Sequence, residues 1–140
     1  MIPLRLVLDT NIVVSAALSP QGLSRSVLVS ACKKPAKLYL STPILDEYRS
    51  VLARPEFSIR KGLQRQLLDL LTHSGELLVA ATKVRAAHDP ADDIFLECAD
   101  AARADYLITG NARHFPKFWK ATKIVTAREF IEIIGPHLIR

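Results

Sequence analysis

Two short runs constrain this chain more than anything else in it: Arg5–Leu8 (RLVL) and residues 106–109 (YLIT). Each is apolar at successive positions and gives way at once to polar residues, Asp9-Thr10-Asn11 after the first and Gly110-Asn111 after the second. A strand that is apolar on both faces must be covered on both, which is the situation of a central strand in a parallel sheet. Lys37–Leu40 (KLYL), residues 76–79 (ELLV) and residues 123–125 (KIV) read as further strands. Helical patterns lie between them. Residues 90–103 repeat Ile94, Cys98, Ala101 and Ala102 on one face, and residues 60–73 repeat Leu63, Leu67, Leu70 and Leu71. This alternation predicts a doubly wound α/β domain whose mainly parallel sheet has about five strands. Thr42 before Pro43 and Asp89 before Pro90 each join a capping side chain to the imino acid favoured in the first helical turn, which places two helix starts.

At 140 residues the chain fits one domain spanning 1–140, and no Gly/Ser-rich linker, repeat or low-complexity tract divides it. No segment approaches the ~18 uninterrupted apolar residues that crossing a membrane requires. Asp9 breaks the first apolar run, so the order of basic, apolar and small-residue regions that marks a secretory signal is missing, and a cytoplasmic protein is expected. Cys32 and Cys98 form no C-x-x-C pair and have no adjacent His, and are expected to be buried, reduced thiols. The formal net charge of +5 favours acidic partners such as RNA, DNA or an acidic peptide.

Ligand crevices of parallel α/β sheets lie beyond the carboxyl ends of the strands, and Asp9 follows the first strand immediately. It is either a helix cap or a functional acid, with Thr10 and Asn11 available to cap the next helix or bond the crossing backbone. The helix from Pro43 offers Asp46 and Glu47. Glu47 flanks the stripe of Ile44 and Val51 and is the more inward of the two, while Asp46 is expected in solvent. In the stretch HDPADDIFLECAD, Asp89 and Asp92 both have capping explanations, whereas Asp93 needs none. Asp93 shares a helix face with Glu97 one turn later, an arrangement relieved by solvent or by a cation. Thr109-Gly110-Asn111 closes the set: Gly permits close approach or a positive φ, and Asn orients a ligand, orients a water or caps a turn.

Should Asp9, Glu47 and Asp93 converge, each pair of charges ~5 Å apart repels by roughly 3 kcal/mol at an effective dielectric of 20. Three such pairs cost on the order of 10 kcal/mol, comparable with the ~5–15 kcal/mol stability of a domain. Protonation or a hard divalent cation must then relieve them, and oxygen ligands without a His/Cys cluster favour Mg²⁺ or Mn²⁺ over Zn²⁺.

In order and spacing, LDTNIVVSA, STPILDEYRSVL and DDIFLECADAARADYLITGNARHF resemble the acid motifs of the PIN-domain ribonucleases, especially the bacterial and archaeal VapC-like toxin branch. The resemblance covers nearly the whole chain. It implies a three-layer α/β/α PIN-like domain with metal-binding acids at Asp9, Glu47 and Asp93, and it puts Asn111 where the family commonly has a fourth Asp. A neutral amide there holds a water but attracts a cation less, and Glu97 is a candidate to compensate. The implied activity is Mg²⁺- or Mn²⁺-dependent endonucleolytic hydrolysis of RNA, with Glu47 as ligand or water-orienting base, Asn111 as a polar positioner, and Thr10, Asn11 and Thr109 in support. Implied partners are an RNA substrate, a cognate antitoxin protein whose segment lies across the acidic crevice, and a second copy in a homodimer.

Arg54, Arg60, Lys61 and Arg65, with Arg113, Lys117 and Lys120, are candidate phosphate contacts, and binding through them would weaken with salt. Phe115, Phe118 and Trp119 either stack on bases or pack in the core, the latter expected for at least two. A phosphatase of the haloacid-dehalogenase type would need Asp at position 11, which is Asn. No G-x-x-x-x-G-K-[ST] or G-x-G-x-x-G occurs. The alternatives are a free-standing RNA-processing nuclease and a non-catalytic PIN-like RNA-binding or assembly module, the latter suggested by Asn111.

Overall fold

The computed structural model describes residues 4–138, with side chains through Gly135. Its sheet has six strands: β1 (Arg5–Leu8), β2 (Lys37–Leu40), β3 (Glu76–Leu77), β4 (Tyr106–Ile108), β5 (Phe118–Trp119) and β6 (Thr122–Val125). Their order is β3-β2-β1-β4-β6-β5, and every neighbouring pair is parallel except β5 with β6. The helices are α1 (Thr10–Leu18), α2 (Leu23–Ala31), α3 (Thr42–Leu52), α4 (Lys61–Ser74), α5 (Asp93–Ala102) and α6 (Ala127–Leu138). The doubly wound architecture is therefore as the alternation predicts. The sixth strand is an addition: β5 has only two residues and turns back through Lys120 at φ 54°, so no apolar run announces it.

Leu6, Val7 and Leu8 of β1 and Leu107 and Ile108 of β4 are fully buried, as central strands covered on both faces must be. Each such side chain contributes about 1.5–3 kcal/mol relative to exposure. From β1 the chain steps through β2 to β3 in one direction and then returns across β1 to β4. Because parallel crossovers are right-handed, the return puts α5 on the face opposite the helices of the outward path. There α5 packs across β1, β2 and β4, while α1 packs on α2 and α2 on α6. Among the described residues no single helix is long and apolar enough to cross a membrane.

Local details depart from the sequence reading in several places: β3 keeps only Glu76 and Leu77 of the expected 76–79, both exposed, and Leu70 of α4 is exposed although the repeat put it on the apolar face. Ser41, not Thr42, caps α3: its Oγ accepts from Ile44 N at 3.3 Å, and Thr42 is already helical. Asp89 does cap, accepting from Ala91 N at 3.0 Å, but what it opens is a 3-10 turn over Pro90–Asp92, and α5 starts only at Asp93. On α5 the buried face is Phe95, Leu96, Cys98, Ala99 and Ala102, whereas Ala101 is exposed. At the end of α4, Gly75 is required by close approach: a Cβ there would stand 2.7 Å from Leu40 Cδ1 and 2.8 Å from the Leu71 carbonyl oxygen. Both cysteines are free; Cys98 is buried and Cys32 half-buried. Burial pushes the Cys98 thiol up to about 12, so it behaves as a small apolar side chain.

Candidate active site

The strand order reverses between β1 and β4, and Asp9 and Thr109 stand side by side at their carboxyl ends, with Asp9 N donating to the Ile108 carbonyl at 2.9 Å. This is where open α/β sheets bind ligands. Asp9 caps α1, one oxygen accepting from Thr10 N at 2.8 Å. It also does more than cap, since its other oxygen accepts from the Thr109 hydroxyl at 2.7 Å. Asn111 N in turn donates to Thr109 Oγ1 at 3.0 Å, orienting that hydroxyl toward the acid.

Glu47 reaches the same place from the second turn of α3, where the Thr10 hydroxyl donates to it. Beneath it the buried Tyr48 hydroxyl donates to the carbonyl of Leu8, fastening α3 to the last residue of β1. Asn11 accepts from Gly110 N at 2.8 Å and so ties α1 to the turn after β4. Gly110 has no positive φ, and a Cβ there would sit in ordinary contact with Asn11, so neither reason foreseen for a glycine applies. Asp46 is exposed, as expected, and pairs with Arg49.

The third acid needs closer reading. Asp93 is buried, and its Oδ1 accepts from the backbone N–H groups of Ala86 and Ala87 at 3.1 and 2.8 Å. Glu97 accepts from Val84 N at 3.1 Å. Both carboxylates thus tie down the segment before α5. Asp92, at the end of the 3-10 turn, adds its charge to Asp9 and feels that of Glu47, while Asp93 beside it has only Oδ1 engaged by the backbone. Burial pushes the Asp9 carboxyl from 3.8 up to about 6; Asp92 and Glu47 add to the rise, and the bonds from Thr109 and Thr10 oppose it. Burial also raises Asp92, followed by the charges of Asp89 and Glu47, while His114 lowers it. His114 Nδ1 lies 3.9 Å from Asp92, and its Nε2 lies 3.3 Å from Asn111 Nδ2.

Asp92 and His114 were not among the residues selected from the sequence. Asp92 had a sufficient explanation as a capping residue, and His114 sits in a three-residue 3-10 turn, Ala112–His114, without periodicity to place it. Arg54, Arg60, Lys61 and Arg65 are exposed around the end of α3 and the start of α4, Arg54 lying seven residues past Glu47, roughly 10 Å along a helix axis. Arg113 and Lys117 are exposed beyond β4. Lys120 pairs with Asp100 at 2.8 Å near the far end of α5, away from the acids at its start. Of the aromatic residues, Phe115 is buried, Trp119 half-buried and Phe118 exposed.

The donor set is hard: carboxylate oxygens supported by hydroxyls. Among the described residues no three His, Cys, Asp or Glu side chains are close enough to grip one ion directly.

The fold agrees with comparison to known proteins. A PIN domain family model matches residues 5–113, and the chain belongs to the PIN domain family. PIN domains are typically nucleases that act with divalent metal ions. The uncharacterized protein MJ1680 of Methanocaldococcus jannaschii is 27% identical over 143 residues, covering 94% of this chain and 92% of that protein. A chain from the crystal structure of VapBC2 from Rickettsia felis, bound to a DNA fragment from their promoter, superposes with a TM-score of 0.58. It is 17% identical, with 88% of this chain and 98% of that one covered, and it shows the common fold.

Proposed function

We propose that this PIN domain is a Mg²⁺- or Mn²⁺-dependent endoribonuclease and the toxin of a toxin–antitoxin pair. The observation that carries the nuclease reading is Asp9: an acid buried at the switch point of the sheet, raised to about 6, with Glu47 and Asp92 adding to the rise. A chain has no structural need to gather like charges there, and a cation relieves them.

Asp9, Glu47, Asp93 and the adjoining Asp92 are the carboxylates that would hold the ion, one or two directly and the others through water, with Asp93 Oδ1 fixing the backbone behind them. When bound, the ion neutralises charge on the scissile phosphate and lowers the pKa of water. The Thr109 and Thr10 hydroxyls aim the carboxylates of Asp9 and Glu47, and Glu47, half-exposed, is placed to orient water as a base. Asn111, exposed at the rim beside His114, positions substrate or water through its amide.

The toxin assignment draws on the fold shared with VapBC2, and it carries with it an antitoxin partner and a toxin homodimer. Incubating a defined RNA pool with Mg²⁺, Mn²⁺ or chelator tests the chemistry. Wild type is expected to cleave internally with metal only, and folded Asp9→Asn to be inactive; equal cleavage by the two would reject the site. Growth arrest on expression, relieved by a protein encoded next to this one, separates a toxin from a free-standing RNA-processing nuclease. Metal-independent RNA binding without cleavage would instead favour the non-catalytic module that Asn111 suggests.

A further inference from the structure

Between β3 and the 3-10 turn at Pro90 runs an irregular segment whose only charged side chains before Asp89 are basic: Lys83 and Arg85, with His88 beside them. It is held down at three points. Val84 N donates to Glu97, Ala86 and Ala87 N donate to Asp93, and His88 N donates to the carbonyl of His114 at 2.9 Å. The segment therefore lies as a strap from the flank of α5 to the turn that carries His114, directly beside Asp92. Val84 is buried, while Lys83 and Arg85 on either side of it are exposed.

If these cations served to neutralise the acid cluster they would pair with it. Among the described residues neither has a carboxylate within 4.0 Å. Two residues along an unbent chain separate them by roughly 6.6 Å, a spacing of the order of that between successive phosphates in an extended strand. Fixed backbone, outward cations and proximity to the acids are what a phosphate track beside a hydrolytic centre requires.

Resting on the nuclease reading above, we propose that the strap formed by residues 83–88 holds the backbone of single-stranded RNA beside the acid site through Lys83 and Arg85, and that Asp93 and Glu97 anchor it. The track thus lies on a segment outside the basic residues that the sequence nominated at the start of α4. Binding rather than chemistry is the strap's contribution.

The test is fluorescence anisotropy of a labelled single-stranded RNA oligonucleotide with the full-length protein in chelator, across a salt series, comparing wild type with Lys83→Ala/Arg85→Ala. Removing two phosphate contacts is expected to weaken binding about tenfold at low salt and to reduce the slope of log K against log salt by roughly 1.4. An unchanged urea midpoint is expected, because both side chains are exposed, and it excludes misfolding as the cause. With metal present, KM should rise while kcat is retained. A Lys83→Ala/Arg85→Ala slope equal to that of a wild type that binds RNA overturns the strap and leaves the nuclease reading intact. A wild type that neither binds nor cleaves RNA overturns both. Loss of binding to a poly-glutamate peptide, with RNA binding unaffected, would assign the strap to an acidic protein partner and equally overturn the proposal.

Discussion

Replacing Asp9 by Asn should destabilise the protein in acid and stabilise it at neutral to basic pH, the difference growing as pH rises through 6. The Asp9 carboxyl moves from 3.8 to about 6 on folding because burial disfavours its charge. Between those values the native state holds a proton that the unfolded chain has released, so stability is greatest below 3.8 and declines as pH climbs through 6. The shift of about 2.2 units corresponds to roughly 3 kcal/mol at 1.36 kcal/mol per unit, present as a constant penalty at pH 8 and absent near pH 3.5. Asn keeps one acceptor for Thr10 N but presents an amide to Thr109 Oγ1, at a cost of about 1 kcal/mol at every pH. Urea unfolding in chelator should therefore show Asp9→Asn about 1 kcal/mol less stable than wild type near pH 3.5 and about 2 kcal/mol more stable at pH 8. Saturating Mn²⁺ at pH 8 should raise the wild-type midpoint and leave the variant's unmoved. A stability difference that does not change with pH would refute the reasoning, because it would mean that the buried acid carries no electrostatic penalty.

Two further substitution experiments separate roles that adjoin in the chain. Asp92→Asn is expected to reduce metal-dependent RNA cleavage at least ~100-fold with stability held within ~0.5 kcal/mol, whereas Asp93→Ala, which strands the N–H groups of Ala86 and Ala87, should cost about 2–4 kcal/mol and expose the strap to limited proteolysis. Full cleavage by Asp92→Asn with an undiminished urea midpoint for Asp93→Ala would reverse the two roles. Tyr48→Phe leaves the Leu8 carbonyl without its buried donor and should lower stability by about 1–3 kcal/mol in urea unfolding; no loss would show that α3 is held by apolar packing alone.

The central strands were legible because their residues are apolar on both faces, and four of them set the sheet whose reversal places Asp9. Glu47 was legible for a related reason: it borders the stripe that packs α3, so helical geometry turns it inward. Short elements held together by pairing rather than by pattern were not. β5 exists because a turn at Lys120 brings two residues back against β6, a tertiary event that two residues cannot encode.

The third acid shows the same limit in finer detail. Counting along a continuous α-helix from Pro90 advances about 100° per residue, but the first three residues form a 3-10 turn, which advances about 120°. Over three residues the difference is about 60°, enough to change which carboxylate of a neighbouring pair faces the sheet end. Asp89 contributes to that change, since its bond to Ala91 N closes the tight turn, and Asp93 completes it by turning an oxygen to two strap amides. Capping and the placement of the acids are therefore coupled in this segment: the turn that Asp89 closes sets how Asp92 and Asp93 are presented. Adjacent acids at the start of such a helix have to be read together with their backbone partners, because N–H groups fix where one carboxylate oxygen points and leave the other, with its charge, for a further partner.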